Sequence, residues 1–363
     1  MRTVRLCLGS ILCVGLAILM LQGVYAQNLL FLNTIGTNLC ELTSGGEQNI
    51  IFSTTNLLLL QGMVFDSAGN LYVSEKDVFD SMASDIVKIT PQGAQSIFAS
   101  GLVTPFQMAF DQSGNLFVGC ISSGAPAPLY KISPTGEQSV FFPLSHGVSE
   151  PLGMAFDRNA DLFVEAAGDI IEFTNNDGTP STNVTMFVSG LPQPTMLAFD
   201  NAGDLFVSVY NNNSPGFINE YTNDNGTLST NPTVFASGLF EPYGLVFDSQ
   251  GDLFVRNAYP VGYSTEANII EFTSAGAQTT VASGVLASVL AFQPVPVLQG
   301  VTANSAFQLS VTMPSPYYTA IVQASHDMVD WCSLCTNIPP FTYTDSITAS
   351  PRFYRAVLDT NYY

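Results

Sequence analysis

PFQMAFDQSGNLFV, residues 105–118, contains the pattern that decides the fold, and related copies recur four more times along the chain. Residues 242–255, PYGLVFDSQGDLFV, repeat the Phe-Asp pair, the Gly and the Leu-Phe-Val ending. The intervals between the aspartates are 45, 46, 43 and 48 residues. The aspartates are Asp66, Asp111, Asp157, Asp200 and Asp248. Repeats of this length that hold several short strands are typical of β-propeller blades.

Each repeat predicts four short strands, called a to d in chain order. Strand a is the apolar stretch before the Asp, and strand b is the Leu-Phe-Val stretch after it. Strands c and d are further β-branched and aromatic runs, such as residues 170–173 and 186–187 of the third repeat. The Asp-x-x-Gly link predicts a tight turn, because the Asp can accept turn N–H groups and the Gly can adopt positive φ. The third repeat has Ala160 at the Gly position, so its turn is expected to be strained or differently shaped.

A sixth repeat is split between two distant parts of the chain. Residues 289–292 match strand a, but Gln293 stands where the Asp is expected and no strand b follows. Residues 29–32, 38–42 and 49–52 match strands b, c and d. Because a shared blade would remove the exposed edges of a ring, we expect an all-β, six-bladed propeller closed by its N-terminal strands over residues 27–296.

The first 26 residues predict a signal peptide. Arg2 and Arg5 precede an apolar run over residues 6–21, and Val24-Tyr25-Ala26 resembles a cleavage site. A retained anchor is the alternative, although the run is short for a membrane span. We therefore expect a secreted, periplasmic or cell-envelope protein with no transmembrane anchor after cleavage.

Residues 297–363 alternate apolar and polar side chains and predict a small C-terminal β-sandwich, with Trp331 as its core anchor. Residues 322–325, VQAS, and 352–356, RFYRA, resemble short β-modules that end many secreted bacterial proteins. That resemblance implies association with the cell envelope rather than chemistry.

Composition restricts the partners. Nine basic residues against 29 acidic ones give a formal net charge of −20, which disfavours nucleic acid and other polyanions. Export permits disulfides, and their pairing stays open between four cysteines. These are Cys40, Cys120, Cys332 and Cys335.

The sequence contains no recognisable catalytic or cofactor motif. His146 and His326 are the two histidines, and neither has the neighbours of a catalytic triad or a zinc site. No Gly-rich phosphate loop precedes a helix.

The repeat resembles the NHL-repeat group and the related senescence-marker-protein/gluconolactonase family. In that family, the resemblance implies, acidic and amide side chains at the starts of the innermost strands hold a divalent cation that polarises a lactone carbonyl. One ligand position is the middle residue of Pro-x-Gly. Its counterparts here are Gln61, Phe106, Leu152, Thr195, Tyr243 and Ser288. None of them is acidic.

A second set of candidates follows strand b, where the chain returns to the same face. It comprises Asn33, Glu75, Glu165, Tyr210, Arg256 and Tyr259. Glu165 and Arg256 either meet across the channel to contact a ligand or form an ordinary solvated ion pair. The rings of Phe106, Tyr210, Tyr243 and Tyr259 either face a sugar or peptide or pack between blades.

Three functions fit this pattern. The preferred one is a non-catalytic module that binds or scaffolds a glycan or a protein, without a cofactor. The alternative is a metal-dependent lactonase-like hydrolase in which Glu75, Glu165 or Asn33 supplies divalent-cation ligands. A third is a structural spacer attached to the envelope through the C-terminal module.

Overall fold

The structure is a computed structural model. It describes residues 29–33, 38–42, 48–53, 58–66, 68–77, 84–90, 93–121, 128–143, 151–211, 214–258, 267–274, 276–285, 287–292, 297–303, 306–312, 320–325, 332–337, 341–346 and 353–358. Every element in these ranges is a strand or a turn. The predicted signal peptide, His146, His326, Tyr259 and Trp331 lie outside them.

The chain begins with three strands, β1 (Leu29–Asn33), β2 (Asn38–Leu42) and β3 (Gln48–Ser53). Blade 1 comprises β4 (Leu58–Phe65), β5 (Leu71–Asp77), β6 (Ser84–Ile89) and β7 (Gln95–Leu102), and blade 2 comprises β8 (Pro105–Phe110), β9 (Leu116–Cys120), β10 (Leu129–Ile132) and β11 (Gln138–Phe142). Blade 3 comprises β12 (Met154–Phe156), β13 (Leu162–Ala166), β14 (Asp169–Asn176) and β15 (Thr179–Val188).

Blade 4 comprises β16 (Pro194–Phe199), β17 (Leu205–Asn211), β18 (Ser214–Tyr221) and β21 (Thr233–Leu239), with the small hairpin β19 (Asn223–Asp224) and β20 (Thr227–Leu228) inserted between its last two strands. Blade 5 comprises β22 (Tyr243–Phe247), β23 (Leu253–Ala258), β24 (Ala267–Phe272) and β25 (Gln278–Val285). Strand β26 (Ala287–Phe292) follows.

Blade 6 joins the two ends of the repeat region, as the sequence predicts. Its strand order is β26-β1-β2-β3, with Leu29 opposite Phe292 and Phe31 opposite Leu290. The innermost strand of each blade contacts those of its two neighbours, so the six sheets close into a ring. The predicted six-bladed propeller and its closure by N-terminal strands are therefore confirmed.

Aromatic side chains hold neighbouring blades together, which explains two conserved-looking letters of the repeat. Phe163 on strand b of blade 3 makes edge-to-face contacts with Phe187 on strand d of its own blade and with Phe199 on strand a of blade 4, each at 5.4 Å between ring centroids. The equivalent ring at the preceding blade is Phe117, which contacts Phe141 at 4.9 Å and Phe156 at 5.4 Å. The Phe of strand b and the Phe before the Asp thus form the interface between successive blades.

The turn between strands a and b follows the predicted chemistry. Asp111 Oδ1 accepts hydrogen bonds from the backbone N–H groups of Ser113 and Asn115, at 2.9 and 2.8 Å. Ala160 of blade 3 makes the same turn hydrogen bond to the carbonyl of Asp157 that Gly114 makes to Asp111, at 3.2 and 3.1 Å. Its φ is 64°, so the turn keeps its shape and Ala160 is strained by about 1 kcal/mol.

The end of strand c adds a charge to each turn, and its sign differs between blades. In blade 2, Lys131 lies 5.8 Å from the ring centroid of Phe117, opposite it on the neighbouring strand. In blade 3 the equivalent residue is Glu172, opposite Phe163. Burial, followed by the negative charges of Asp161 and Asp157, raises the pKa of Glu172. Blade 3 therefore places like charges together where blade 2 has a cation over a ring.

We expect Glu172→Lys to stabilise the propeller by about 1 kcal/mol, because it removes this repulsion and places an ammonium group over Phe163. A carboxyl group with a raised pKa destabilises the folded state once it ionises, and that penalty shrinks as the pH falls towards its ordinary value of 4.5. The melting temperature of the variant should therefore exceed that of the wild type more at pH 8 than at pH 5.

Lys131→Glu is the matched control, since it creates in blade 2 the acidic arrangement of blade 3. It should lower the melting temperature. An equal melting temperature for Glu172→Lys and the wild type at pH 8 would show that these turn charges are fully screened.

The C-terminal strands form a second compact unit. Strands β27 (Val297–Ala303), β28 (Ala306–Thr312) and β31 (Phe341–Ser346) form one three-stranded sheet, and β29 (Ala320–Ser325), β30 (Cys332–Asn337) and β32 (Phe353–Leu358) form another. The expected packing of these sheets as a sandwich stays a prediction. Cys40 and Cys120 are buried free thiols. Within the described ranges no helix has the length and apolarity needed to cross a membrane.

Candidate functional site

The candidate site is the end of the central channel where strands a begin and strands b end. We call it the mouth. Its described members at the starts of strands a are Gln61, Phe106, Leu152, Thr195, Tyr243 and Ser288, and those at the ends of strands b are Glu75, Glu165, Tyr210 and Arg256. Tyr259 and the side chain of Asn33 fall outside the description. The propeller therefore brings most of the predicted candidates to one face.

A β-bulge interrupts the innermost pair of strands at the mouth. In blade 1 Leu60 is opposite Glu75 and Gly62 is opposite Ser74, so Gln61 is the extra residue. Equivalent register shifts occur in blades 2, 4, 5 and 6. A bulge bends the strand and redirects its side chains. The Pro-x-Gly pattern is the sequence trace of this bulge.

Two aromatic rings meet across the channel. The ring centroids of Phe106 and Tyr243 are 6.5 Å apart and the rings are inclined at 73°. Phe106 belongs to blade 2 and Tyr243 to blade 5, which lie on opposite sides of a ring of six. The contact thus corrects both earlier interpretations, since these two rings contact one another across the channel instead of packing between neighbouring blades. They form an aromatic platform at the mouth.

Glu165 is buried, with only 2% of its surface exposed. Its carboxylate oxygens accept backbone N–H groups, Oε2 from Leu152 at 3.1 Å and Oε1 from Gly168 at 3.2 Å. These bonds fix the orientation of the carboxylate. The interpretation of Glu165 as one half of a solvated surface ion pair is therefore wrong.

Glu165 differs in chemistry from the residues that occupy its position in other blades. In blade 1 the position holds Ser74, whose hydroxyl donates to the carbonyl of Phe106 in the next blade at 3.0 Å. In blade 5 it holds Arg256, whose Nε donates to the carbonyl of Ala287 in blade 6 at 2.8 Å. These side chains link successive blades, whereas a carboxylate cannot donate to a carbonyl. Blade 3 therefore places an acceptor where its relatives use donors.

Tyr243 lies in the electric field of Glu165 and Arg256. Burial of its hydroxyl, and after it the negative charge of Glu165, raise the pKa of Tyr243, while the positive charge of Arg256 opposes that rise. The hydroxyl is therefore neutral at physiological pH and can donate a hydrogen bond. Burial also lowers the pKa of Arg256, against the opposing effect of Glu241 and Tyr243, but an arginine keeps its charge.

The small hydroxyl residues at the mouth serve the framework. Thr195 Oγ1 donates to the carbonyl of Pro242 in the next blade at 2.9 Å and lies 2.8 Å from Ser208 Oγ. Ser288 Oγ donates to the carbonyl of Leu32 within blade 6 at 3.1 Å. Their hydroxyl protons are thus used by backbone carbonyls.

The remaining predicted residues are less closely tied to the aromatic platform. Gln61 has one long contact, from Nε2 to the carbonyl of Leu60 at 3.4 Å, and Tyr210 is partly exposed. Glu75 is buried and lies opposite Asp85 on the neighbouring strand. Burial, followed by the negative charge of Asp85, raises the pKa of Glu75.

The donor set does not fit the divalent cation that the family resemblance implies. The described residues contain no group of three or more His, Cys, Asp or Glu that could hold a metal ion. Both oxygens of Glu165 accept backbone N–H groups, and Phe106, Leu152 and Tyr243 occupy three of the six Pro-x-Gly positions. A hard cation requires several oxygen ligands together.

Sequence reasoning did not select Gln107, the second residue of the bulge in blade 2. The available signal was that Gln107 replaces the Gly of Pro-x-Gly found in blades 1, 3 and 5. Gln107 is 7% exposed.

Solved structures with related folds include proteins of different activity. A gluconolactonase from Xanthomonas campestris matches with a TM-score of 0.50 and 17% identity, over 63% of this chain and 79% of that chain. The luciferin-regenerating enzyme matches with a TM-score of 0.53 and 14% identity, over 72% and 91% of the two chains. A PQQ-bound aldose sugar dehydrogenase from Streptomyces coelicolor matches with a TM-score of 0.52 and 13% identity, over 74% and 98%.

These identities establish the fold alone. No protein-family model matches the sequence, and a search of curated proteins gives no match. The predicted resemblance to gluconolactonase-like six-bladed propellers is thus confirmed as a likeness of fold.

Proposed function

We propose that this propeller binds a small, uncharged, sugar-derived ligand, such as a sugar lactone, at its mouth. The observation that carries the proposal is the platform formed by Phe106 and Tyr243 across the channel, with Glu165 and Arg256 beside it. An aromatic face covers the apolar face of a sugar ring, and fixed polar groups around it bind hydroxyl and carbonyl oxygens.

The charges of the mouth support this class of ligand. Tyr243 is a neutral donor, and the carboxylate of Glu165 is an acceptor held in place by two backbone N–H groups. The net charge of −20 disfavours a polyanionic ligand. Two of the fold relatives, a gluconolactonase and an aldose sugar dehydrogenase, are proteins named for sugar-derived substrates. That agreement favours a small molecule over the glycan polymer or protein ligand of the first hypothesis.

The proposal is tested by thermal unfolding and calorimetry with D-glucono-1,5-lactone and D-glucose. A ligand with a Kd of about 1 mM adds roughly 1.4 kcal/mol at about 10 mM, which is a measurable rise in melting temperature. Phe106→Ala should remove most of that rise, and Tyr243→Phe should weaken binding about tenfold by deleting one buried donor.

Tyr130→Phe is the matched control, since Tyr130 lies on strand c of blade 2, away from the innermost strands. It should leave the affinity unchanged. If neither compound raises the melting temperature of the wild type, the mouth does not bind this class of ligand.

Lactone hydrolysis is the second candidate function, favoured by the gluconolactonase fold and by the position of Tyr243. The Tyr243 hydroxyl could donate to the lactone carbonyl oxygen while water adds to the carbonyl carbon, the ring C–O bond breaks and a hydroxy acid is released. No step is assigned to a metal, because the described residues do not supply its ligands. Acid release from glucono-1,5-lactone at the spontaneous rate would exclude hydrolysis and leave binding in place.

Export and attachment are further proposals. Residues 1–26 would direct the chain out of the cytoplasm, and the C-terminal strands would associate with the envelope. Fractionation of cells expressing the full chain, with and without residues 297–363, distinguishes a released from an attached protein.

A further inference from the structure

Gln107 contains a buried donor that the fold does not use. Its side-chain Nε2 is buried and has no hydrogen-bond partner. Leaving such a donor unpaired costs the folded protein about 1–3 kcal/mol. The residue lies in the bulge of β8, directly after Phe106, whose ring forms half of the aromatic platform.

The register of the ring shows where this side chain begins. At the equivalent position of blade 1, a Cβ added to Gly62 would lie 2.0 Å from the carbonyl oxygen of Phe106 in blade 2. A Cβ added to Gly153 of blade 3 would lie 2.9 Å from the carbonyl oxygen of Thr195 in blade 4. This position therefore points at the first bulge residue of the next blade.

By the same register, Gln107 points towards Leu152 of blade 3, whose N–H donates to Glu165 Oε2. The space for a long side chain comes from strand b of the same blade. There Gly119 occupies the position that holds Ser74 in blade 1. The amide of Gln107 and the carboxylate of Glu165 thus border the same segment of the mouth.

Two other blades show how a donor in this gap is normally used. Ser74 Oγ lies 3.0 Å from the carbonyl oxygen of Phe106 and accepts the N–H of Gly62 at 2.8 Å. In blade 4, Ser208 Oγ accepts the N–H of Met196 at 3.1 Å. These hydroxyl groups are satisfied by the framework, whereas the Gln107 amide nitrogen is not. Its donor capacity is therefore available to a group from outside the chain.

We propose that Gln107 Nε2 binds the ligand of the mouth, by donating to a carbonyl or hydroxyl oxygen that lies beside Glu165. This assignment rests on the proposed function and adds a specific contact to it. The ligand then has an acceptor oxygen facing blade 2 and a hydroxyl group that can donate to the Glu165 carboxylate. A cyclic sugar lactone or a pyranose carries both groups.

Gln107→Met tests the assignment, because methionine has nearly the same length and no donor. Removing an unpaired buried donor should leave the melting temperature of the ligand-free protein equal or higher. The Kd for D-glucono-1,5-lactone, or for D-glucose if that is the tighter ligand, should rise about tenfold. A residue with a purely structural role would change both quantities in the same direction.

Gln138→Met is the matched control, since Gln138 lies exposed on the outermost strand of the same blade. It should not change the Kd. Gln107→Gly, which restores the residue of blades 1, 3 and 5, provides a second test should Gln107→Met lower the melting temperature.

The outcomes separate the two proposals. Binding by the wild type that Gln107→Met and Gln107→Gly leave unchanged overturns the role of Gln107 alone. Absence of binding by the wild type overturns the proposed function and this contact together.

Discussion

Deleting residues 27–52 is expected to abolish the cooperative unfolding transition of the whole propeller. The deletion removes β1, β2 and nearly all of β3, so β26 loses its only partner within blade 6. Strands β1 and β2 contribute seven buried apolar side chains, each worth about 2 kcal/mol. Their sum is comparable to the roughly 5–15 kcal/mol that stabilises a typical domain. Thermal unfolding followed by near-ultraviolet circular dichroism would measure the loss.

Two point variants in blade 6 separate closure from the mere loss of residues. Phe31 is 1% exposed on β1, so Phe31→Asp should destabilise the propeller by more than about 4 kcal/mol. Ile50 is 63% exposed on the outermost strand, so Ile50→Asp should change the stability by less than about 1 kcal/mol. A truncated protein that melts at the wild-type temperature would show that the ring is stable without its closing strands.

Gly62→Ala is expected to destabilise the propeller by roughly 3 kcal/mol, although it adds a single methyl group. That methyl carbon would lie 2.0 Å from the carbonyl oxygen of Phe106 and 3.2 Å from Ser74 Oγ. The first of these is a backbone atom, so blades 1 and 2 must separate to accommodate it. Chemical denaturation of the variant and the wild type would measure the difference.

The same substitution should also weaken ligand binding at the mouth, since moving the Phe106 backbone displaces its ring from Tyr243. Gln61→Ala is the control, because Gln61 is the adjacent, partly exposed bulge residue with one long hydrogen bond. It should cost less than about 1 kcal/mol. A Gly62→Ala protein as stable as Gln61→Ala would mean that the blades separate easily at this point.

Several expectations about the site depended on contacts that a repeat cannot reveal. The sequence placed Phe106 and Tyr243 at equivalent positions, but their contact spans blades on opposite sides of the ring. Glu165 looked like one half of an exposed ion pair, yet two backbone N–H groups and burial fix its carboxylate. Arg256, its expected partner, donates instead to the carbonyl groups of Ala287 and Glu241.

Gln107 illustrates a different limit. A single letter that departs from Pro-x-Gly carries no sign of its consequence, because burial and the absence of a partner arise only when neighbouring blades meet. The strain at Ala160 was predicted from one such departure, since the turn itself fixes the conformation there. The structure shows that the turn keeps its shape and that Ala160 adopts positive φ.

The sequence by itself determined the number of blades, their four strands, the turns and the closure of the ring. These features depend on local periodicity and on turn residues, both of which act over a few positions along the chain. Only the tertiary structure decided the chemistry of the mouth. The side chains that meet there come from different repeats, and their contacts, burial and charges depend on how the blades are arranged around a common axis.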